Sequence, residues 1–177
     1  MIISPAKKLD YAAIDEELSS SEPILLNHSK GLIGELEKLS PQGVSSLMGL
    51  SDKLGALNYQ RFQEWQLPFT KNNAKQAILA FKGDVYQGLD AESLSKEDLD
   101  WAQDNLRILS GLYGILRPLD LMQPYRLEMG TKLKTKRGKD LYQFWGSTIA
   151  DELNKTFKSP NGILLNLASN EYFKSIN

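Results

Sequence analysis

The stretch Ser110 to Gly130, "SGLYGILRPLDLMQPYRLEMG", constrains the fold more than any other part of the chain. It is mostly apolar and so belongs inside, yet it carries three glycines, two prolines and two arginines. A plain helix or strand breaks at such residues. Pro118 and Pro124 fix kinks and restrict Arg117 and Gln123 before them. An arginine in apolar surroundings needs a carboxylate, backbone carbonyls or a bound anion. Asp120 and Glu128 are close in sequence and would supply ion pairs. A kinked cleft wall that presents Arg117 and Arg126 beside Tyr113 and Tyr125 is the other reading, and the residues alone leave both open.

Around this segment the pattern predicts a mixed α/β chain: one domain over 1–177, with a small mixed sheet flanked by helices. "MII" reads as a short strand. Leu32, Ile33, Leu36 and Leu39 recur at helical spacing. Ser40-Pro41 reads as an N-cap with proline in the first turn, and Val44, Leu47 and Met48 would line that helix. Ser51 would cap a third helix with Leu54, Leu57, Phe62 and Trp65 along one side. "AILAF" (77–81) reads as a buried strand, "KGD" as a turn and "VYQGL" as a helix start. Ser95 and Asp98 form a capping signal for a helix continued by Leu99, Ala102, Leu106 and Leu109. Asp140 would cap one helix through "LYQFWGSTIADELNKTF", with Leu141, Trp145, Ile149 and Leu153 sharing a face. "SPNG" reads as a turn, "ILLNLAS" as a buried strand and "NEYFKSIN" as a helix start. A strand and an opening helix at the last residues lead us to expect further chain.

Several function classes fall away on composition. With no cysteine and one histidine in 177 residues, thiolate sites, disulfides, a cysteine nucleophile and multi-histidine metal centres are excluded. His28, in "LLNHSK", reads as a helix-entry residue. No cofactor, metal site, secretion signal or membrane span is predicted, and the expectation is a cytoplasmic monomer. Net charge is −1, but the charge is segregated. From Lys82 to Asp104 two bases face seven acids, and from Asn105 to Lys139 eight bases face two. Such segregation can build a local positive face on a nearly neutral protein.

Three candidate sites follow. Residues 41–65 read as a helix-hairpin-helix-like subregion in which Gly49, Ser51 and Lys53 would offer amides and an ammonium to a phosphate. Ser51 stands where that motif usually has its second glycine. Lys82 and Asp84 flank Gly83 at a strand–turn–helix junction, where an anion could be held and Asp84 could act as a base. They are the only catalytic candidates, and no nucleophile–base pair stands out. The third site joins Arg117 and Arg126 to the basic run Lys132, Lys134, Lys136, Arg137 and Lys139. Two functions compete: non-sequence-specific binding of duplex or branched DNA, and an enzyme acting on a nucleotide or other phosphorylated or anionic small molecule.

"LSGLYGILRPLDLMQPYRLEMG" resembles the signature of the YaaA family of bacterial peroxide-stress proteins. "ISPAKKLD", "LMGLSDKLGALNYQRFQ", "AILAFKGDVYQGL", "GKDLYQFWG" and "NLASNEYFKSI" resemble it in the same order along essentially the whole chain. The resemblance implies a cytosolic protein that helps cells survive hydrogen peroxide and limits iron-driven damage to DNA. It further implies DNA binding through a helix-hairpin-helix element and a basic cleft, on an unusual mixed α/β fold. It adds Lys7, Lys82, Asp84, Arg117, Arg126 and Lys174 as parts of one cleft. Members of that family continue past the equivalent of Asn177, so the resemblance implies that this chain is the N-terminal portion of a longer one. Direct iron sequestration is disfavoured by the residues, which lack a dense carboxylate–histidine motif.

Overall fold

Ile2 and Ile3, both buried, form β1 (Ile2–Ile3), which runs parallel to β5 (Arg107–Ser110); β5 pairs antiparallel with β6 (Gly114–Leu116), giving a mixed sheet in the order β1-β5-β6. The computed structural model describes residues 1–13, 18–156 and 162–176. Two short ribbons accompany the sheet: β2 (Lys8–Leu9) with β4 (Phe81–Lys82), and β3 (Lys75–Gln76) with β7 (Leu121–Met122). Helices α1 (Leu26–Leu36), α2 (Pro41–Met48) and α3 (Asp52–Glu64) precede β3. A single helical turn, α4 (Ala77–Ala80), joins β3 to β4, and α5 (Asp84–Leu89) and α6 (Lys96–Asn105) lead into β5. The chain closes with α7 (Leu141–Trp145), α8 (Thr148–Asn154) and α9 (Asn170–Phe173). The mixed α/β class is as expected.

The Ser110–Gly130 segment is the centre of the core. Tyr113 and Tyr125 pack edge to face at 5.2 Å between centroids, an arrangement favoured by the ring quadrupoles. Their hydroxyls are bound internally. Tyr125 Oη and Ser110 Oγ lie 2.7 Å apart, and Tyr113 Oη accepts from Trp65 Nε1 and from the Gln123 amide. Two glycines make this packing possible. A Cβ on Gly111 would lie 2.2 Å from the Leu127 carbonyl oxygen, and one on Gly114 (φ +71) would lie 2.8 Å from the Trp145 ring.

Five expectations need correction. The helix expected to run through Leu106 and Leu109 ends at Asn105: Leu106 is extended and Leu109 lies in β5, beside the β6 strand. "AILAF" is not a strand: only Phe81 is, and Ala77–Ala80 form a helical turn because Ala77 and Ile78 N–H donate to the carbonyls of Asp120 and Pro118. These bonds tie the turn to the kinked segment instead of to a ladder. "ILLNLAS" is not a buried strand. Asn166 makes one parallel bridge to Ile2, while Ile163, Leu165 and Leu167 are exposed. Leu165 O accepts from Ile2 N and Leu167 N donates to Ile2 O, so the segment lies against the edge of β1 by its backbone and turns those side chains outward. The helix from Leu141 breaks at Gly146 (φ +50) into α7 and α8, though Leu141, Trp145, Ile149 and Leu153 are all buried as expected. Leu54 and Leu57 are exposed; the buried face of α3 is Gly55, Asn58 and Phe62. The small Gly55 side lets α3 approach α2 closely at Ser45 and Pro41, which turns Leu54 and Leu57 outward. Of the expected "SPNG" turn, residues 159–161 lie outside the described residues.

The capping signals hold. Ser40 and Ser51 Oγ accept from the amides of Gly43 and Leu54, Ser95 and Asp98 form a reciprocal capping box, and Asp140 Oδ1 accepts from Gln143 N.

Candidate anion-binding site

The loop after β1 carries Lys7 beside the Tyr125–Glu128 backbone. Bonds at Ser4 hold this loop: Tyr86 Oη donates to Ser4 O, Ser169 N donates to Ser4 Oγ, and Ser4 Oγ donates to Ser169 Oγ. Lys7, Arg126, Glu128, Glu171 and Tyr172 line a cavity of about 60 Å3. One oxygen of Glu128 serves two cations, Lys7 Nζ at 2.9 Å and Arg126 Nη2 at 3.1 Å. Among the described residues, the buried Nε of Arg126 has no hydrogen-bond partner. Glu171 Oε1 accepts from Gly130 N, and Tyr142 Oη donates to Glu171 O. Lys174 Nζ sits 4.8 Å above the Tyr142 ring, a cation–π contact. Lys7, Arg126 and Lys174 against Glu128 and Glu171 leave one positive charge in excess.

Beyond Gly130 the backbone continues into the basic loop. Thr131 and Leu133 are buried while Lys132 and Lys134 are exposed, an alternation that turns successive side chains to opposite sides. Thr135 and Gly138 close the tip by exchanging backbone hydrogen bonds, and Lys139 N donates to Gln143 Oε1. The Arg137 guanidinium lies 4.8 Å from the Phe144 ring centroid. Among the described residues, no carboxylate pairs with Lys132, Lys134, Lys136, Arg137 or Lys139. Five cations therefore project from one anchored loop. His28 packs against Phe144 and Trp145 beneath it, and burial, then the Arg137 charge, lowers its pKa.

The other sequence candidates lie apart from this group. Arg117 is held by Asp120, with Nε and Nη2 3.0 and 2.9 Å from the buried Oδ1, and its Nη2 also donates to Glu22 O. That is the ion-pair alternative, and it leaves Arg117 engaged within the fold. Lys82 points to Glu92 at 2.7 Å and Asp10 at 3.8 Å. Asp84 is exposed on the first turn of α5, next to Gly83, whose α-carbon faces Ala6 of the Lys7 loop. No described contact joins Lys82, Asp84, Arg117 and Arg126 into one set. Gly49, Ser51 and Lys53 are exposed on the α2–α3 turn, with Gly49 left-handed (φ 62). Asp52 stands beside Lys53 in the first turn of α3. The sequence reading missed Glu128 and Glu171 as pocket walls; their place in the segments "PYRLEMG" and "NEYFKSI", which also carry Arg126 and Lys174, was the available signal.

A model of the family described as "Peroxide stress protein YaaA" matches residues 1–177. The chain belongs to the YaaA family. Curated relatives agree. A UPF0246 protein of Teredinibacter turnerae is 60% identical over 177 residues, covering 99% of this chain and 69% of the relative. A UPF0246 protein of Saccharophagus degradans is 61% identical over 177 residues with the same shares. One from Cellvibrio japonicus is 57% identical over 176 residues, covering 99% of this chain and 68% of the relative. The YaaA match spans the pocket residues Lys7 and Arg126, Lys174 beside Tyr142, and the basic loop alike. Among the described residues, no helix is long and apolar enough to cross a membrane.

Proposed function

We propose that this YaaA-family protein serves the peroxide-stress response by binding DNA through phosphate contacts, without reading bases, and so protects it from iron-driven oxidation. The observation that carries this reading is the anchored loop bearing Lys132, Lys134, Lys136, Arg137 and Lys139, all exposed and without a carboxylate partner among the described residues. Surface lysines paired with acids have little to gain from a phosphate; unpaired ones release counterions on binding. Lys174, Lys7 and Arg126 extend the positive surface at the base of the loop. The α2–α3 turn offers a second contact through Lys53 and the N-terminal end of α3, opposed in part by Asp52 and by the Ser51 cap.

The test is fluorescence anisotropy of duplex and branched DNA across a salt series. Each phosphate contact adds roughly 0.9 to the slope of log affinity against log salt. Replacing Lys132, Lys134, Lys136 and Lys139 together by alanine is expected to lower that slope by about 3 to 4. Absence of binding, or binding indifferent to salt, overturns the reading.

A second reading, a small anion held in the pocket as substrate or ligand, is favoured by the incompletely bonded Arg126 beside Lys7. Thermal shift with nucleotides, with and without magnesium, tests it. A ligand that stabilises the wild type but not Arg126→Gln supports it, and no stabilisation by any nucleotide rejects it.

A further inference from the structure

A larger cavity, about 390 Å3, opens beside Asp10 and shares no residue with the Arg126 pocket or the basic loop. That volume is within the range of small-molecule sites, roughly 300–1,000 Å3. Leu79, Leu94 and Leu99 supply apolar walls, and Asp10, Lys75 and Glu92 supply the polar groups.

Lys75 is the unusual member. It is only 8% exposed, and the pairing of β3 with β7 fixes its backbone opposite Met122. Its ammonium has three N–H groups. Among the described residues it has one acceptor, the Ala12 carbonyl oxygen at 2.9 Å. A buried charge with two donors left over is costly in a structural role and useful in a binding one.

The two carboxylates do not fill that gap. Lys82 Nζ takes Glu92 at 2.7 Å and Asp10 at 3.8 Å, and Asp10 Oδ1 also accepts from Ala12 N at 2.9 Å. Both acids are held below their ordinary pKa, Asp10 chiefly by the Ala12 N–H and Glu92 chiefly by Lys82. They are ionised and engaged. Two fixed negative charges on the wall also disfavour a multiply charged anion such as a nucleotide.

We propose that this cavity binds a small organic monocarboxylate. Its apolar body lies against Leu79, Leu94 and Leu99, and its carboxylate accepts from Lys75 Nζ. The proposal stands independently of DNA binding, because no residue is shared.

The test titrates the protein with hexanoate and 3-phenylpropanoate, and with hexan-1-ol and 3-phenylpropan-1-ol as neutral counterparts. Calorimetry reads affinity, and the Lys75 Cε resonance, assigned by its loss in Lys75→Arg, reads the contact. The acids are expected to bind at least tenfold more tightly than the alcohols and to shift that resonance, with the preference gone in Lys75→Met. Equal affinity for acid and alcohol overturns the proposal. So does an unmoved Lys75 resonance, or failure of both acids to bind at millimolar concentration. If Lys75→Met does not fold, the wild-type acid-to-alcohol ratio and the resonance decide alone.

Discussion

Asp120 is fully buried and accepts from Ser21 Oγ at 2.6 Å, from Arg117 N at 2.8 Å and from Arg117 Nε at 3.0 Å. It joins the kinked Pro118 segment to the chain at Ser21 and neutralises Arg117. Removing one partner of such a pair leaves the other charge uncompensated. Because Arg117 is itself partly exposed, Asp120→Asn is expected to lower stability by about 1.5–3 kcal/mol in urea unfolding, the range for hydrogen bonds to charged groups. It should leave the salt slope of DNA binding unchanged, because Arg117 is committed to the fold; a changed slope would return Arg117 to the list of phosphate contacts. His28 gives a second prediction at this scale. Its pKa is lowered from 6.5 in the folded state by burial and by Arg137, so the unfolded chain binds the proton more readily. Stability is then full above about 6.5 and falls as pH drops through the folded value. As the only histidine in the chain, it can be isolated: His28→Gln should flatten the thermal-melting profile below about pH 6.5. A slope that survives the substitution means that another group carries it.

At the scale of elements, the α2–α3 hairpin depends on one close approach. A Cβ on Gly55 would lie 1.8 Å from Ser45 Oγ, 2.9 Å from Ser45 Cβ and 3.1 Å from the Pro41 carbonyl oxygen. Rotating the serine relieves only the first of these. Gly55→Ala is expected to cost about 1–3 kcal/mol by overpacking, measured by denaturant unfolding, even though alanine is the better helix former. A neutral or stabilising result would mean that the helices part without penalty. This hairpin also shows which elements were legible. Ser40, Pro41, Ser51, Ser95 and Asp140 act through neighbours two to four residues away, so their caps could be read along the chain. The "AILAF" turn could not, because the Asp120 and Pro118 carbonyls that hold Ala77 and Ile78 come from some forty residues away. Leu54 and Leu57 fit a helical stripe on paper. Which face of α3 is buried was decided by the approach of α2.

At the largest scale, the net charge of these 177 residues is −1, so the proposed attraction of DNA is local to the basic loop and not a global field. The surface charge elsewhere should then matter little, since separations beyond about 10 Å are screened at 0.1 M salt. Reversing Lys38 and Lys96, neither of which touches the loop in any described contact, is expected to leave DNA affinity within about twofold at that salt. Anisotropy titration checks this, and a loss comparable to that of the loop variant would show that total charge, not the loop, governs binding. Composition and order of residues were enough to establish the mixed α/β class, the family and the segregation of charge, because each depends on residue identity or on contacts within a few positions. Tertiary structure decided which charged groups are free. Ser110–Gly130 presents two arginines that look equivalent in sequence. In three dimensions Arg117 is closed by Asp120 and the Glu22 carbonyl, while Arg126 shares Glu128 with Lys7 and, among the described residues, keeps an unbonded Nε. An ion pair depends on where a distant carboxylate or carbonyl arrives, and only the folded chain brings those partners together.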